Sequence, residues 1–399
     1  MLEKGALLMT AIERERIKIM ELVKRKHLTL KDASDCLALS YRQVKRIFKK
    51  YKTEGSKGVI HKNRGRKSNR KTKDEDITKI LKLHKEKYTG FGPTLMSEKL
   101  ELDGIKIDHE TLRKILIKNG LWEKKRNRQK HRSRRERKQH FGEMIQLDGS
   151  HHQWFENNDK KSCLMNMIDD STNTTLSLMA QEETTEAAML LLWSWIDKYG
   201  IPMSIYCDRK NVFVTDREAT IDEQIAGVEP KTAFGLACEK LGIRIITASS
   251  PQAKGRVERN HGVYQDRFVK ELRLLKINNI KGANELLKTS FIDNLNKKFS
   301  FKAANEKDFH RSIAKSLDLR NVFCYESIRT VSNDYVVRYE NKLFQIHKDN
   351  KLLPKTGRKV KVLEWLDSSI HIYFNDKELK IIDITNINVN TKNKELCYA

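Results

Sequence analysis

Apolar positions in the first third of the chain recur at helical spacing. Ile12 to Lys26 sets Ile17, Met20, Leu22 and Val23 on one face, and a second short helix is predicted over Leu30 to Leu37. Ala38-Leu39-Ser40 reads as a tight turn into a helix from Tyr41 to Lys52, with Ser40 as its N-cap. Val44, Ile47, Phe48 and Tyr51 of that helix face a core, while Arg42, Gln43, Lys45, Arg46 and Lys49 stay outside. Three more helices are predicted over Glu75 to Tyr88, Thr94 to Leu100 and Asp108 to Lys118, around the turn Gly90-Phe91-Gly92-Pro93, with Asp108 as a cap. The period changes at Phe141. Glu143 to Asp148, Ser162 to Ile168 and Thr174 to Ala180 are strand-like, and an apolar helix follows over Thr185 to Tyr199. Strand Met203 to Cys207, helix Thr232 to Leu241, strand Arg244 to Thr247 and a long helix from Gln252 to Leu275 complete an α/β order with a mixed sheet. Asn284 to Asn296 is a helical connection. From Asp334 to Ile384 short alternating runs predict a small, SH3-like β-barrel.

Charge adds a partner to this outline. Lys and Arg number 79 against 53 Asp and Glu, a formal net charge of +26. Such a surplus favours a polyanion, because each phosphate that is neutralised releases condensed counterions. The surplus is concentrated: His61 to Lys71 holds no acid, and Lys124 to Lys138 carries ten Lys or Arg with only Glu136 against them. Neither run has apolar periodicity, so both read as linkers that track DNA, Arg64 and Arg66 in the first and Arg134 and Arg135 in the second. The first three helices, with their turn and basic last helix, then read as a helix-turn-helix module that places Arg42, Gln43, Lys45 and Arg46 in a major groove, and the second helical unit reads as another. The bland alternative is a helical bundle with a solvated basic face. Six scattered cysteines without a C-x-x-C pair argue for free thiols and against a zinc finger. No apolar run approaches a membrane span, and the opening Ala6-Leu7-Leu8-Met9 patch is too short for a secretion signal, so the expected location is the cytoplasm, on the nucleoid.

Three carboxylates stand where an α/β sheet puts its chemistry. Asp148 is expected to end the first strand, Asp208 the fourth, and Glu258 lies in the first turns of the last helix. An Asp beyond an apolar strand is costly to bury unless a cation pairs with it. Two neighbouring aspartates with a glutamate above them can hold two hard cations. Such a pair supports in-line displacement at phosphorus without a covalent enzyme intermediate. Any single one of these acids is more simply a surface charge; it is the set, in order, that carries weight. Asp169 and Asp170 also end a strand and read as turn or support residues. His151 and His152 read as packed or surface histidines, and Trp154 and Trp195 as core.

The segments Gln146-Leu147-Asp148-Gly149-Ser150, Asp169-Asp170-Ser171-Thr172, Tyr206-Cys207-Asp208-Arg209 and Ser250 to Arg259 resemble the DDE transposases of bacterial insertion sequences, within the retroviral-integrase superfamily. The Phe91-Gly92-Pro93-Thr94 turn, Asn63-Arg64-Gly65-Arg66 and Trp154-Phe155-Glu156 are similar to the ISNCY group in particular. The resemblance covers nearly the whole chain. It implies a ribonuclease H-like core in which Asp148, Asp208 and Glu258 bind two Mg²⁺ or Mn²⁺ ions. Two departures stand out. Forty-nine residues separate Asp208 from Glu258, wider than is usual in integrases, with Val214 to Pro230 expected as an acidic surface insertion. Helix-turn-helix units also replace the retroviral zinc module.

The expected partition is a helix-turn-helix domain at 10–60, a basic linker at 61–73, a second helix-turn-helix domain at 74–122, and a second linker at 123–140. A ribonuclease H-like core follows at 141–300, then a linker at 301–333 and the barrel at 334–385. The expected function is a transposase that binds terminal inverted repeats, nicks 3′ ends and transfers them to double-stranded target DNA. Synapsis of two ends implies a homodimer or higher oligomer on DNA, and no membrane partner. Lys254 and Arg256 are placed to hold the DNA end. The rivals are a non-catalytic helix-turn-helix regulator and a structure-selective nuclease of the same fold.

Overall fold

The computed structural model describes residues 9–61, 64, 71–123, 136–156, 160–227, 229–248 and 255–385. They divide into two compact units, the described residues of 1–89 with 96–121, and those of 90–95 with 122–399.

In the first unit, α1 (Ala11–Lys24), α2 (Leu30–Cys36) and α3 (Tyr41–Glu54) each start on a hydroxyl cap, Thr10, Thr29 and Ser40. These caps accept from otherwise orphaned first-turn N–H groups. Met20, Val23, Ala33 and Val44 form the core, with Ile47, Phe48 and Tyr51 packed against it. Leu22, expected inside, is 41% exposed and belongs to the solvent side of α1. The turn before α3 bends at Ala38, which has φ 49. Then come α4 (Asp74–Glu86), α5 (Pro93–Leu102) and α6 (His109–Lys118), the last capped by Asp108 as expected.

The second unit is built on five strands: β1 (Ile145–His152), β2 (Ser162–Asp169), β3 (Thr175–Ala180), β4 (Ser204–Cys207) and β5 (Arg244–Thr247). Their order is β3-β2-β1-β4-β5, with the first three antiparallel and β4 and β5 parallel to β1. This is the mixed sheet expected of a ribonuclease H-like core. Between β3 and β4 runs α7 (Thr185–Tyr199); α8 (Ile221–Ala226) and α9 (Ala233–Lys240) precede β5, and α10 (Gly255–Leu274) follows it. Alternation on β1 divides the layers. Ile145 and Leu147 join Leu191 and Trp195 of α7 and Phe234 of α9 in one core. On the opposite face Trp154 and Leu164 pack with Tyr264 and Phe268 of α10. That second core is closed by α11 (Ile280–Leu286), a π-helical turn over Leu287–Phe291, and α12 (Ile292–Phe299). Covered on both sides, β2 is buried along its whole length.

The remaining strands are antiparallel. After α13 (Leu319–Val322) come β6 (Cys324–Thr330), β7 (Val336–Tyr339), β8 (Lys342–Ile346), β9 (Lys359–Trp365), β10 (Ile370–Phe374), β11 (Lys377–Leu379) and β12 (Ile381–Asp383). They make two sheets, β11-β10-β9-β6 and β12-β8-β7, around one core that includes Val337, Phe344, Val362 and Ile372. The expected barrel is therefore, among the described residues, a pair of sheets. Two boundaries also change. The expected linker at 301–333 contains β6, whose ladder runs the length of β9. The first strand does not end at Asp148 but continues to His152, paired with β2 throughout.

Replacing Met20 with alanine should destabilise the first unit by about 2–5 kcal/mol, the usual range for emptying a buried methionine site. A thermal melt followed by far-ultraviolet circular dichroism checks this; an unshifted first transition would take Met20 out of the core.

Candidate active site

The site begins with the strand register. Ile145 pairs with Ile205 and Gln146 with Tyr206 in the parallel β1–β4 ladder. Asp148 and Asp208 each follow this pair of Gln146 and Tyr206 by two residues, Asp148 still within β1 and Asp208 just past the end of β4. Gln146, Asp148 and Ser150 alternate onto the α10 side of the sheet. Two of them touch that helix: Gln146 Oε1 accepts from the Val257 N–H at 3.2 Å, and the Gln265 side chain donates to Ser150 Oγ at 3.1 Å. Asp148 lies between them.

Two further contacts fix how α10 is turned. The Arg256 guanidinium donates to Asp170 Oδ1 at 2.6 Å, and Asn166 Nδ2 donates to Asn260 at 2.7 Å. Both draw one flank of the helix toward β2. At about 100° per residue, Glu258 falls on the opposite flank, next to Gln265, over the β1 side. Asp148 and Asp208 thus follow the paired β1 and β4 residues, and helical geometry sets Glu258 on the flank of α10 away from Arg256 and Asn260. Glu258 is exposed, and Asp148 and Asp208 are half-buried.

Asp169 and Asp170 are the support residues expected. Asp169 is fully buried and accepts from Gly142 N, from Ser171 N and Oγ, and from Thr172 N and Oγ1. Burial raises its pKa against the pull of those hydrogen bonds. Asp170 accepts from Lys138 N, Gln146 Nε2 and Arg256. Arg256, expected at the DNA, is instead drawn inward as a tie between α10 and the sheet, with 14% of its side chain exposed. Arg64 is likewise engaged, donating to the Glu13 carboxylate at 2.6 Å. Arg42, Gln43, Lys45 and Arg46 lie exposed on α3 as expected. Arg66, Arg134, Arg135 and Lys254 lie outside the described residues.

Two residues were not legible in advance. Glu183 stands in the loop before α7, its side chain 5% exposed. Its Oε2 accepts from Lys210 Nζ at 2.6 Å, and Lys210 Nζ also lies 3.4 Å from Asp208 Oδ2. Burial pulls the Lys210 ammonium down, but the hydrogen bond to Glu183 and the charges of Glu183, Asp208 and Asp148 outweigh it, and its pKa ends above the ordinary lysine value. One ammonium therefore feels three carboxylates at once. Glu183 Oε1 is buried without a hydrogen-bond partner among the described residues. A Cβ on residue 149 would stand 2.6 Å from Glu183 Oε2, so glycine is what the approach of that carboxylate requires. His151, Cys163 and Glu183 also bring donor atoms within 4.8 Å of one another, a cluster invisible in sequence spacing. Burial pushes the Cys163 thiol up to about 12, which keeps it a protonated, largely apolar neighbour. His152 packs edge-on to Trp154, and burial lowers its pKa. Trp154 and Trp195 are both fully buried.

A helix-turn-helix domain family matches residues 15–68. A protein of Sinorhizobium fredii named as a transposase, y4bF, is 32% identical over 371 residues, covering 92% of this chain and 80% of its own length. The chain belongs to the transposases of bacterial insertion sequences. A transposase for insertion sequence IS1202 of Streptococcus pneumoniae is 28% identical over 96% of this chain and 89% of its own length. Among solved structures, the integrase catalytic core of HTLV-2 in complex with magnesium aligns with 37% of this chain and 83% of its own, at 18% identity and a TM-score of 0.29. The transposase is a DNA-binding protein. Among its described residues no helix is long and apolar enough to cross a membrane.

The two kinds of acid should separate on mutation. Asp170→Ala strands Gln146 and a nearly buried guanidinium, and should destabilise the second unit by about 3–5 kcal/mol. Glu258→Gln, on an exposed side chain, should shift stability by no more than about 0.5 kcal/mol. Denaturant titration of both variants checks this; equal losses would mean Glu258 is structural.

Proposed function

We propose that this transposase binds the terminal inverted repeats of its insertion sequence, nicks their 3′ ends and transfers them to target DNA, using Asp148, Asp208 and Glu258 as ligands for two Mg²⁺ or Mn²⁺ ions. The observation that carries the proposal is that Asp148 and Asp208 each follow the paired β1 and β4 residues by two positions, with the Lys210 ammonium 3.4 Å from Asp208 Oδ2. Their oxygens are the hard donors such ions prefer. When bound, an ion pair supplies charge on both sides of an in-line displacement at phosphorus.

The protein's own part is positional. The hydrogen-bonded β1–β2–β4 frame keeps the two aspartates from relaxing apart. The Gln146, Asp170 and Asn166 contacts hold the first turns of α10, so Glu258 arrives from a remote part of the chain already oriented. Arg42, Gln43, Lys45 and Arg46 on α3 suit base and phosphate contacts in a major groove, with Ser40 fixing the start of that helix. Synapsis of two element ends calls for at least a dimer on DNA. Binding modules of this kind favour a transposase over a nuclease that only hydrolyses, since end recognition has a purpose only when ends are joined.

Incubation of the full chain with labelled element ends and Mg²⁺ should give nicked 3′ ends and strand-transfer products. Asp208→Asn should retain end binding and lose both products; cleavage at the wild-type rate by the purified variant would remove Asp208 from the site. Arg42→Ala with Arg46→Ala should weaken end binding and reduce the slope of log affinity against log salt by about two. An unchanged slope would leave α3 as solvated surface.

A further inference from the structure

Lys210 is the feature of the site that the proposed mechanism does not use. It follows Asp208 by two residues, and its ammonium sits 2.6 Å from Glu183 Oε2 and 3.4 Å from Asp208 Oδ2. The Glu183 side chain, 5% exposed, is pressed against Gly149, the neighbour of Asp148 in β1, and leaves Oε1 buried without a hydrogen-bond partner among the described residues. A carboxylate so placed needs a nearby cation. Lys210 supplies it, and in doing so brings a positive charge to the carboxylate of Asp208.

We propose that Lys210 is a positioning residue that acts as a built-in placeholder cation: it neutralises the Glu183–Asp208 cluster before metal loading, and it must leave Asp208, tethered by Glu183, for a divalent ion to bind. The inference rests on the metal-binding reading of Asp148, Asp208 and Glu258. Like charges in one pocket exclude each other, so the ammonium and a divalent ion at Asp208 compete. Glu183 is then the tether that keeps the displaced ammonium beside the site, where it can meet a phosphate oxygen of the bound DNA end. The consequence is a metal affinity held below what the carboxylates alone would give.

The test is titration of Mn²⁺ alone into the full chain without DNA, following the free-ion signal by electron paramagnetic resonance. Lys210→Met should tighten Mn²⁺ binding by about tenfold or more, because it removes a cation from the pocket. Lys210→Arg should stay within about threefold of wild type, since it restores the charge. Lys198→Met, the same change of net charge at a residue paired with Asp293, should leave binding unchanged. Asp208→Asn should weaken Mn²⁺ binding in either background. If wild type binds Mn²⁺, Asp208→Asn loses it, and Lys210→Met binds no tighter, the placeholder is overturned while the metal site stands. If Lys198→Met tightens binding as much as Lys210→Met, the effect is one of net charge, and the placeholder is likewise overturned. If Asp208→Asn binds Mn²⁺ as wild type does, the metal-site reading falls and the placeholder with it.

Discussion

The candidate site depends on a clamp between one end of the sheet and the first turns of α10. Gln146 holds the Val257 N–H, Asp170 holds Arg256, and Asn166 holds Asn260. These groups lie at the buried or nearly buried junction of helix and sheet, where an unmade hydrogen bond costs more than a made one contributes. The helix therefore has one favourable roll. That roll decides where Glu258 points, although no contact of Glu258 itself is needed to set it. A carboxylate destined for a shared ion is best oriented by its neighbours, because its own oxygens must stay available.

The acids of the second unit consequently fall into two populations. Asp169 and Asp170 are fully buried, saturated by backbone and side-chain donors, and tie loops to the sheet. Asp148 and Asp208 are half-buried and Glu258 is exposed. Glu183 belongs to neither group. Its side chain is almost entirely buried, but it is neutralised by a lysine from the Asp208 loop. The site combines a hydrogen-bonded polar frame with a region where the Lys210 ammonium balances carboxylate charge.

Much of this was legible in the sequence because the sheet alternates cleanly. Apolar Ile145 and Leu147 alternate with polar Gln146 and Asp148, which assigns a face to each, and caps such as Ser40 and Asp108 mark helix starts. The extension of β1 was missed because Gly149, Ser150, His151 and His152 carry little apolar signal, and their strand conformation comes from pairing with β2. Strand β6 was missed for a related reason: only Cys324 of its residues is buried, and its ladder with β9 is a non-local contact. Within the expected acidic insertion, α8 adds a short capped helix with Ile221 and Ile225 exposed. Glu183 could not be singled out, since Gln181-Glu182-Glu183-Thr184 reads as an ordinary polar loop. Only the packing against Gly149 shows which of those acids turns inward.

The central claim is that three acids remote in the chain share bound divalent ions, and affinity cleavage reads this most directly. Fe²⁺ exchanged into the site, with ascorbate and peroxide, cuts the protein backbone next to the residues that hold it. The account predicts three cuts, at the end of the β1–β4 ladder near Asp148, in the loop at Asp208 and in the first turn of α10 at Glu258, all suppressed together by excess Mg²⁺. Cuts confined to other segments, or cuts near Asp148 and Asp208 with none at Glu258, would contradict it.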